Sequence, residues 1–572
     1  MSQPATHADA ASSSQTENTP THEIQEKYEN QEELPEDLEK DEQHSNHELA
    51  KKPMSAYIGV CFMCVLIAFG GFVFGFDTGT ISGFVNMTDF KRRFGQQRSD
   101  GTHYFSNVRT GLIIAMFNAG CAVGAIFLSK AADLWGRRLA IMMAMVIYIV
   151  GIIVQISSTD KWYQIMIGRI FTGLAVGTLS VVCPLFISET SPKHLRGTLV
   201  CCFQLMITMG IFLGYCTTYG TKQSYSDSRQ WRIPLGLCFA WALFLAGGMI
   251  DMPESPRYLI GKDKIEKAKA SLAKTNKVSE EDPALLKEAR LIQAGVERER
   301  LAGKAGWMTL ITGKPRIFER VVVGALCQAL QQLTGNNYFF YYSTTIFQAI
   351  GLDDSFQTSI IIGVINFAST FLGIYLIEKL GRRQCLLVGS VGMSICFLIY
   401  SLIGTQSLYI DGPDGPTRQP SGRALIFITC LFVFIFASTW AGGVYSIVSE
   451  LYPLKVRSKA IGVASAANWI FGFLISFFTS FITQAIHFYY GFVFFGCLLF
   501  SIFFVYFMVY ETKGLSLEDV DELYQSGIPA WKSSKWTPPS EEEMATSTGY
   551  AAYSKPQNEH VNDDELVQSN SN

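Results

Sequence analysis

Between two polar ends, the chain alternates long apolar runs with short charged ones. The first 52 residues are rich in Glu, Asp, Gln, Ser and Thr, a composition that buries too little apolar surface to fold alone. From Tyr57 onward the pattern changes to runs such as Tyr57–Phe76, Leu139–Ile156 and Phe488–Val509. A helix of about 20 apolar residues crosses the ~30 Å hydrocarbon core of a bilayer, and a buried helix of a soluble protein rarely needs so long a run. The pattern predicts twelve helices, near 57–80, 109–129, 139–157, 163–187, 198–219, 233–251, 319–347, 356–377, 385–405, 424–449, 459–483 and 488–510. No cleavable leader precedes the first run, which therefore reads as a retained span.

The stretch 252–318 divides these helices into two sets of six. It is charged, and Ile265, Ala268 and Leu272, then Leu285, Ala289 and Ile292, recur at the spacing of amphipathic surface helices. The expected organisation is a polar N-terminal tail (1–52), a six-helix bundle (53–251), a helical linker (252–318), a second six-helix bundle (319–514) and a polar C-terminal tail (515–572). Short loops after the second, fourth, eighth and tenth helices carry Lys130, Arg137 and Arg138; Lys193 and Arg196; Lys379, Arg382 and Arg383; Lys455, Arg457 and Lys459. The excess of Lys and Arg in cytoplasmic loops places this side, the linker and both termini in the cytoplasm. The loop 86–108, with Lys91, Arg92, Arg93 and Arg98, runs against that rule.

Composition narrows the function. Hydrophobic residues make up 49% of the chain and charged ones 17%, against about 25% charged in soluble domains. The net charge of −3 singles out no partner, and no basic stripe interleaved with aromatics points to nucleic acid. The 8 His are scattered, and no Gly loop followed by Lys-Ser/Thr offers a phosphate cradle. No catalytic set, metal set or cofactor is expected. Most of the 13 Cys lie inside apolar runs, and the Cys61–Cys64 pair in the first run reads as small buried apolar residues rather than a redox or zinc motif.

The two halves repeat each other. Leu134-Trp-Gly-Arg-Arg138 follows the second helix and Lys379-Leu-Gly-Arg-Arg383 the eighth. Glu189 precedes Arg196 as Glu450 precedes Arg457, and Pro253-Glu-Ser-Pro-Arg257 and Tyr510-Glu-Thr-Lys-Gly514 end the sixth and twelfth helices. Matched landmarks in matched positions indicate two related bundles with a site near the midplane between them. With Gln331-Gln-Leu-Thr-Gly-Asn-Asn337 and Phe76-Asp-Thr-Gly-Thr-Ile-Ser-Gly83, these motifs resemble the sugar porter family of the major facilitator superfamily, most of all the yeast hexose transporters. The likeness covers about 57–525. It implies the major facilitator fold, a sugar substrate at the plasma membrane, and function as a monomer.

Neutral amides suit an uncharged ligand covered in hydroxyls, since each hydroxyl both donates and accepts. Intramembrane amides also serve as interhelical glue. By resemblance, Gln204, Gln331, Gln332, Asn337, Asn366, Trp440 and Asn468 fall on sugar-contact positions; Phe74, Phe340, Tyr341 and Trp469 are aromatic candidates. Phe436 and Tyr445 fall on the sugar-facing part of the tenth helix. Glycine pairs such as Gly71/Gly75 and Gly210/Gly214 are expected to let helices approach closely. The tenth helix departs from the family in lacking a central Pro. Asp77 and Arg169 lie within helices and would each be costly unpaired in a bilayer, so a mutual pair is the simplest reading; the resemblance adds a proton-coupling role for Asp77. Arg137, Arg138, Glu189, Arg196, Arg382, Arg383, Glu450 and Arg457 cluster at cytoplasmic helix ends, where the resemblance implies inter-bundle salt bridges that hold the inside shut. Asn86-Met-Thr88 is a glycan acceptor sequence. The leading expectation is facilitated diffusion of a hexose, glucose first; the alternatives are proton–sugar symport and a non-transporting glucose sensor.

Overall fold

The computed structural model describes residues 58–99, 101–191, 195–276, 278–301, 306–314, 316–339, 355–408, 419–453, 456–515 and 517–537. The first set of long helices is α1 (Ile58–Phe84), α2 (Asn107–Ile126), α3 (Arg137–Ile156), α4 (Trp162–Thr190), α5 (Arg196–Ser224) and α6 (Arg229–Ile250). The second is α7 (Ile317–Leu333), α8 (Ser355–Leu380), α9 (Arg382–Gln406), α10 in two pieces (Gln419–Ser438 and Trp440–Glu450), α11 (Arg457–Ile486) and α12 (Tyr490–Met508). Among the described residues, ten stretches are long and apolar enough to cross a membrane, the last of which, Arg457–Met508, contains both α11 and α12. The hydropathy pattern thus located the helices to within a few residues at most ends. Two interruptions were not foreseen. α7 stops at Leu333, before Gly335 at φ 85°, and α10 breaks at Thr439 (φ −131°, ψ −73°).

The packing repeats with an offset of six helices. α1 packs on α5 and α7 on α11; α2 and α3 pack on α4, and α8 and α9 on α10; α3 packs on α6 and α9 on α12. Two hydrophobic cores result, one from α1–α6 and one from α7–α12 with the segment beyond it. Two seams join them, α2 against α11 and α5 against α8. Lipid offers apolar side chains no drive to associate with one another, so small residues that allow close approach hold such helices together. A Cβ at Gly71 of α1 would lie 2.5 Å from Phe203 O, and one at Gly79 2.6 Å from Ile211 O; only glycine lets α1 lie this close to α5.

At one end of the bundle lie the linker helices. Ile265–Asn276 and Pro283–Leu301 pack on each other through Leu272, Ala273, Leu285 and Ala289, and Thr275 Oγ1 donates to Met63 Sδ near the start of α1 at 3.9 Å. The same end holds the segment after α12. Its helix Leu517–Gln525 brings Asp521 to the buried Arg320 of α7, whose guanidinium lies 4.2 Å from the Tyr524 ring centroid. Ser533 Oγ accepts from the Glu511 N–H at 2.9 Å. Residues 517–537, read from sequence as the start of a tail, are folded onto the second core. At the opposite end, the loop after α1 forms a short helix (Thr88–Phe94) and a two-residue hairpin, Gln96–Gln97 with His103–Tyr104. The buried Asp89 collects Arg92 at 2.6 Å, Arg93 at 2.8 Å and the Trp231 indole at 3.2 Å. The basic residues that ran against the charge rule are therefore partly neutralised within a folded cap.

Candidate functional site

Between the two cores lies a cavity of about 1100 Å³, counting the solvent at its mouth, lined by residues of α1, α2, α4, α5, α7, α8, α10 and α11. Gln204, Gln331, Gln332, Asn337, Asn366, Asn468, Phe74 and Trp469, all picked out from sequence, converge on it. The amides form one directed chain. Asn337 Nδ2 donates to Gln332 Oε1 at 2.6 Å, Gln332 Nε2 to Asn468 Oδ1 at 2.8 Å, and Asn468 Nδ2 to Gln331 Oε1 at 2.8 Å. Gln331 Nε2 ends the chain on the carbonyls of Trp440 and Ala441, at 3.1 Å each, where α10 restarts after its break. Each amide thereby fixes the orientation of the next, a preorganised polar wall in an apolar medium.

Other polar atoms are left open. Thr78 Oγ1, Asn336 Oδ1 and Asn366 Oδ1 are buried and have no hydrogen-bond partner among the described residues, and all three side chains line the cavity. Buried polar groups in native proteins are nearly always paired, so these atoms stand out as the unmatched polar groups of the lining. Aromatic rings line the cavity as well. Phe74 and Trp469 meet edge to face at 5.2 Å, Phe117 joins them, and the Trp469 indole donates to Ser180 Oγ at 3.3 Å. Phe436 and Tyr445 also line the space. Asn118 of α2, which donates to Ser476 Oγ of α11 at 3.1 Å, and Asn336 were missed in the sequence. The signal that found the other amides, a polar residue within an apolar run, applied to Asn118 as well.

Beside this wall, Arg169 Nη1 of α4 lies 2.6 Å from Asp77 Oδ2 of α1, with side chains 2% and 1% exposed. The guanidinium also lies 4.4 Å from the Phe117 ring centroid, and Arg169 reaches the cavity surface. Opposite charge, hydrogen bonding and the aromatic face together offset the cost of burying two ions.

At the linker end each half holds the same network. Arg137 grips Glu189 with two bonds, 2.9 and 2.8 Å, and Ser255 Oγ donates to Glu189 at 2.6 Å. Arg382 grips Glu450 at 3.2 and 2.9 Å, and Thr512 Oγ1 donates to Glu450 at 2.6 Å. Glu254 accepts from the backbone N–H groups of Arg137 and Arg138, and Glu511 from those of Arg382 and Arg383, so each carboxylate sits at a helix N-terminus where the exposed donors favour it. Burial raises the Glu254 carboxyl above its ordinary value against those donors. The close approach requires Gly136 (φ 105°) and Gly381 (φ 91°); a side chain there would be strained and would strike Glu254 or Glu511.

Residues 63–524 match the family described as Sugar (and other) transporter. The chain belongs to that family. It is 59% identical to the low-affinity glucose transporter of Kluyveromyces lactis over 88% of this chain and 89% of that one. It is 58% identical to the galactose transporter of Saccharomyces cerevisiae over 86% of each. Among solved structures it is similar to the proton:xylose symporter XylE bound to 6-bromo-6-deoxy-D-glucose, with TM-score 0.69 and 26% identity, covering 82% of this chain and 99% of that one. The fold is that of the major facilitator superfamily.

As a member of the sugar transporter family, the chain departs from its sequence-based expectations at two points. Trp440 does not line the cavity. Its indole is wholly buried in the second core and donates to Leu386 O and Ser390 Oγ at 3.0 Å each. The break at Thr439 resets the register of α10, so Ala441 and Tyr445 face the cavity instead. Second, the ion pairs of Arg137 with Glu189 and of Arg382 with Glu450 lie within one half each, α3 to α4 and α9 to α10, and are not inter-bundle bridges. The halves meet nearby through Ser458 Oγ, which donates to Asp133 Oδ2 at 3.1 Å, and through the apolar contact of Cys201 with Ile377 and Cys385. Arg138 Nη1 donates to Met252 O and Arg383 Nη2 to Tyr506 O, also within one half, while Arg196 and Arg457 open α5 and α11 at the same end. Phe340 and Tyr341 lie outside the described residues. Asn86 is exposed at the start of the cap.

Proposed function

We propose that this chain carries a hexose, glucose first, across the plasma membrane by facilitated diffusion, and that its halves rock about the central cavity to expose it to each side in turn. The observation that carries this reading is the cavity between two repeated halves, lined by a fixed chain of amides and by aromatic rings, whose one lining charge, Arg169, is paired with Asp77. Amides match hydroxyls in both directions, and the rings suit the apolar faces of a pyranose. Gln204, Gln331, Gln332, Asn337, Asn366 and Asn468 are the sugar-binding set in this reading, with Tyr341 held as a further candidate. The names of the relatives, glucose and galactose transporters, support the hexose class.

The linker, both termini and the two charge networks are placed in the cytoplasm by loop charge, and the cap with Asn86 outside, where Asn86 is a glycan acceptor. The two bundles, 53–251 and 319–514, are the moving bodies, each braced at its cytoplasmic end by its own Arg–Glu pair, and one copy of the chain suffices. Uptake of labelled glucose in cells lacking their own hexose carriers tests the reading, with a panel of unlabelled sugars as competitors. Absence of uptake would leave the sensor alternative standing.

Proton–sugar symport has one observation in its favour: Asp77, paired with Arg169, lies beside the cavity. While the pair stays closed the guanidinium favours the charged carboxylate, whereas a pair that opens in one state would let Asp77 take up a proton. The uniport reading, in which the pair stays closed through the cycle, expects uptake to be insensitive to a protonophore in energy-depleted cells. It also expects Asp77→Asn to lower the rate without changing the pH profile. Sugar-dependent alkalinisation of the medium that Asp77→Asn abolishes would establish symport.

A further inference from the structure

At the end opposite the linker helices the halves touch on both seams, and on each an aromatic ring of the second half rests on a glycine of the first. Phe356, at the start of α8, is only 4% exposed and packs within the core of α1–α6 rather than its own. A Cβ at Gly83, in the last turn of α1, would lie 3.1 Å from Phe356 Cε1, and Lys222 Nζ of α5 stands 4.4 Å from the ring centroid. On the other seam, a Cβ at Gly111 of α2 would lie 3.0 Å from Phe477 Cδ2 of α11. None of these residues lines the sugar cavity.

We propose that Phe356, seated on Gly83 beneath Lys222, is the release element of the outer gate, with Phe477 on Gly111 as its counterpart. The proposal rests on the alternating-access reading. Parting the halves at this end draws the ring out of an apolar seat and away from the ammonium, into water. Both losses disfavour the open mouth, so the depth of the seat sets how long the mouth stays shut. A Cβ at Gly83 would crowd Thr218 of α5, at 2.9 Å, as well as the ring, so glycine keeps the seat tight. Lys222 faces the ring from the first half, so its attraction acts across the seam and is lost on opening.

Two measurements test this. In the first, a reporter cysteine replaces the cavity-lining Ile211, and its labelling by a membrane-impermeant thiol reagent from outside is followed, with the Ile211 chain as background. Phe356→Ala should speed labelling about tenfold, the order that one released aromatic side chain supplies; an unchanged rate overturns the proposal. In the second, Lys222→Cys and Phe356→Cys are bridged by a short, reducible bifunctional thiol reagent. Uptake should stop on bridging and return on reduction; undiminished uptake through the bridged pair overturns the proposal. The parent chain is assayed in the same cells. If it carries no sugar the transport reading fails, and the labelling arm still decides the gate.

Discussion

The linker end and the membrane middle of this transporter treat the internal repeat in opposite ways. At the linker end the halves match group for group: Gly136 with Gly381, Glu189 with Glu450, Glu254 with Glu511, and Ser255 with Thr512 in the same hydrogen bonds. In the middle they diverge. The first half supplies a buried ion pair and the Phe74 and Phe117 rings; the second supplies the chain of amides. Every charge on α7 to α12 lies near a helix end. Motion asks the same of both halves, so the parts that brace them are kept alike. A sugar has no twofold symmetry, so the walls that hold it need not match.

The largest effect should come from the divergent middle. Arg169→Ala leaves Asp77 buried without its partner, and breaking one side of such a pair costs about 3–5 kcal/mol. A large fall in the melting temperature of the purified protein is expected; an unchanged one would mean that Asp77 is not held as an ion. Next comes the matched end. Glu450→Gln and Glu189→Gln each remove one half-buried, charge-assisted pair, at about 2–3 kcal/mol, and the comparison requires the two variants to behave alike. Each pair ties two helices of one half together, so both variants should lower the melting temperature of the purified protein by a similar amount. A large effect from one and none from the other would break the symmetry argument.

Smaller effects belong to the cavity. Gln332→Ala or Asn337→Ala interrupts the amide chain and leaves neighbours unpaired, at ~1–3 kcal/mol each, so sugar affinity should fall about tenfold. Normal affinity in both well-folded variants would remove these residues from the site. The smallest is Trp440→Phe, which keeps the ring and loses two indole bonds, at ~1 kcal/mol of stability. Half-saturation for glucose should be unchanged, and a changed value would return Trp440 to the cavity.

The helices were legible because lipid imposes one simple demand on each, a long apolar run, and the repeat was legible because glycines and charges at the linker end keep their spacing. What stayed hidden depends on which residues meet across the chain. Arg137 and Glu189 could be seen to matter, but not that they meet within a half. Thr439 carries no Pro to announce a break, so the turn of α10 that takes Trp440 from the cavity to the core could not be foreseen. Asn118 looked like any other intramembrane amide. The docked helix after α12 did leave a trace: Val520, Leu523 and Tyr524 fall on one face of Leu517–Gln525 and are buried, a pattern overlooked inside a stretch taken for a tail.

The two seams, α2 with α11 and α5 with α8, carry a consequence for ancestry. Helix 2 of one unit meets helix 5 of the other, and the reverse holds across the axis. That is the isologous contact of a homodimer, in which one patch serves both partners. A single six-helix unit bearing this patch would be self-complementary. Joining two copies through the linker fixes their one-to-one pairing, and only then can the two copies of each position in the cavity accept different mutations.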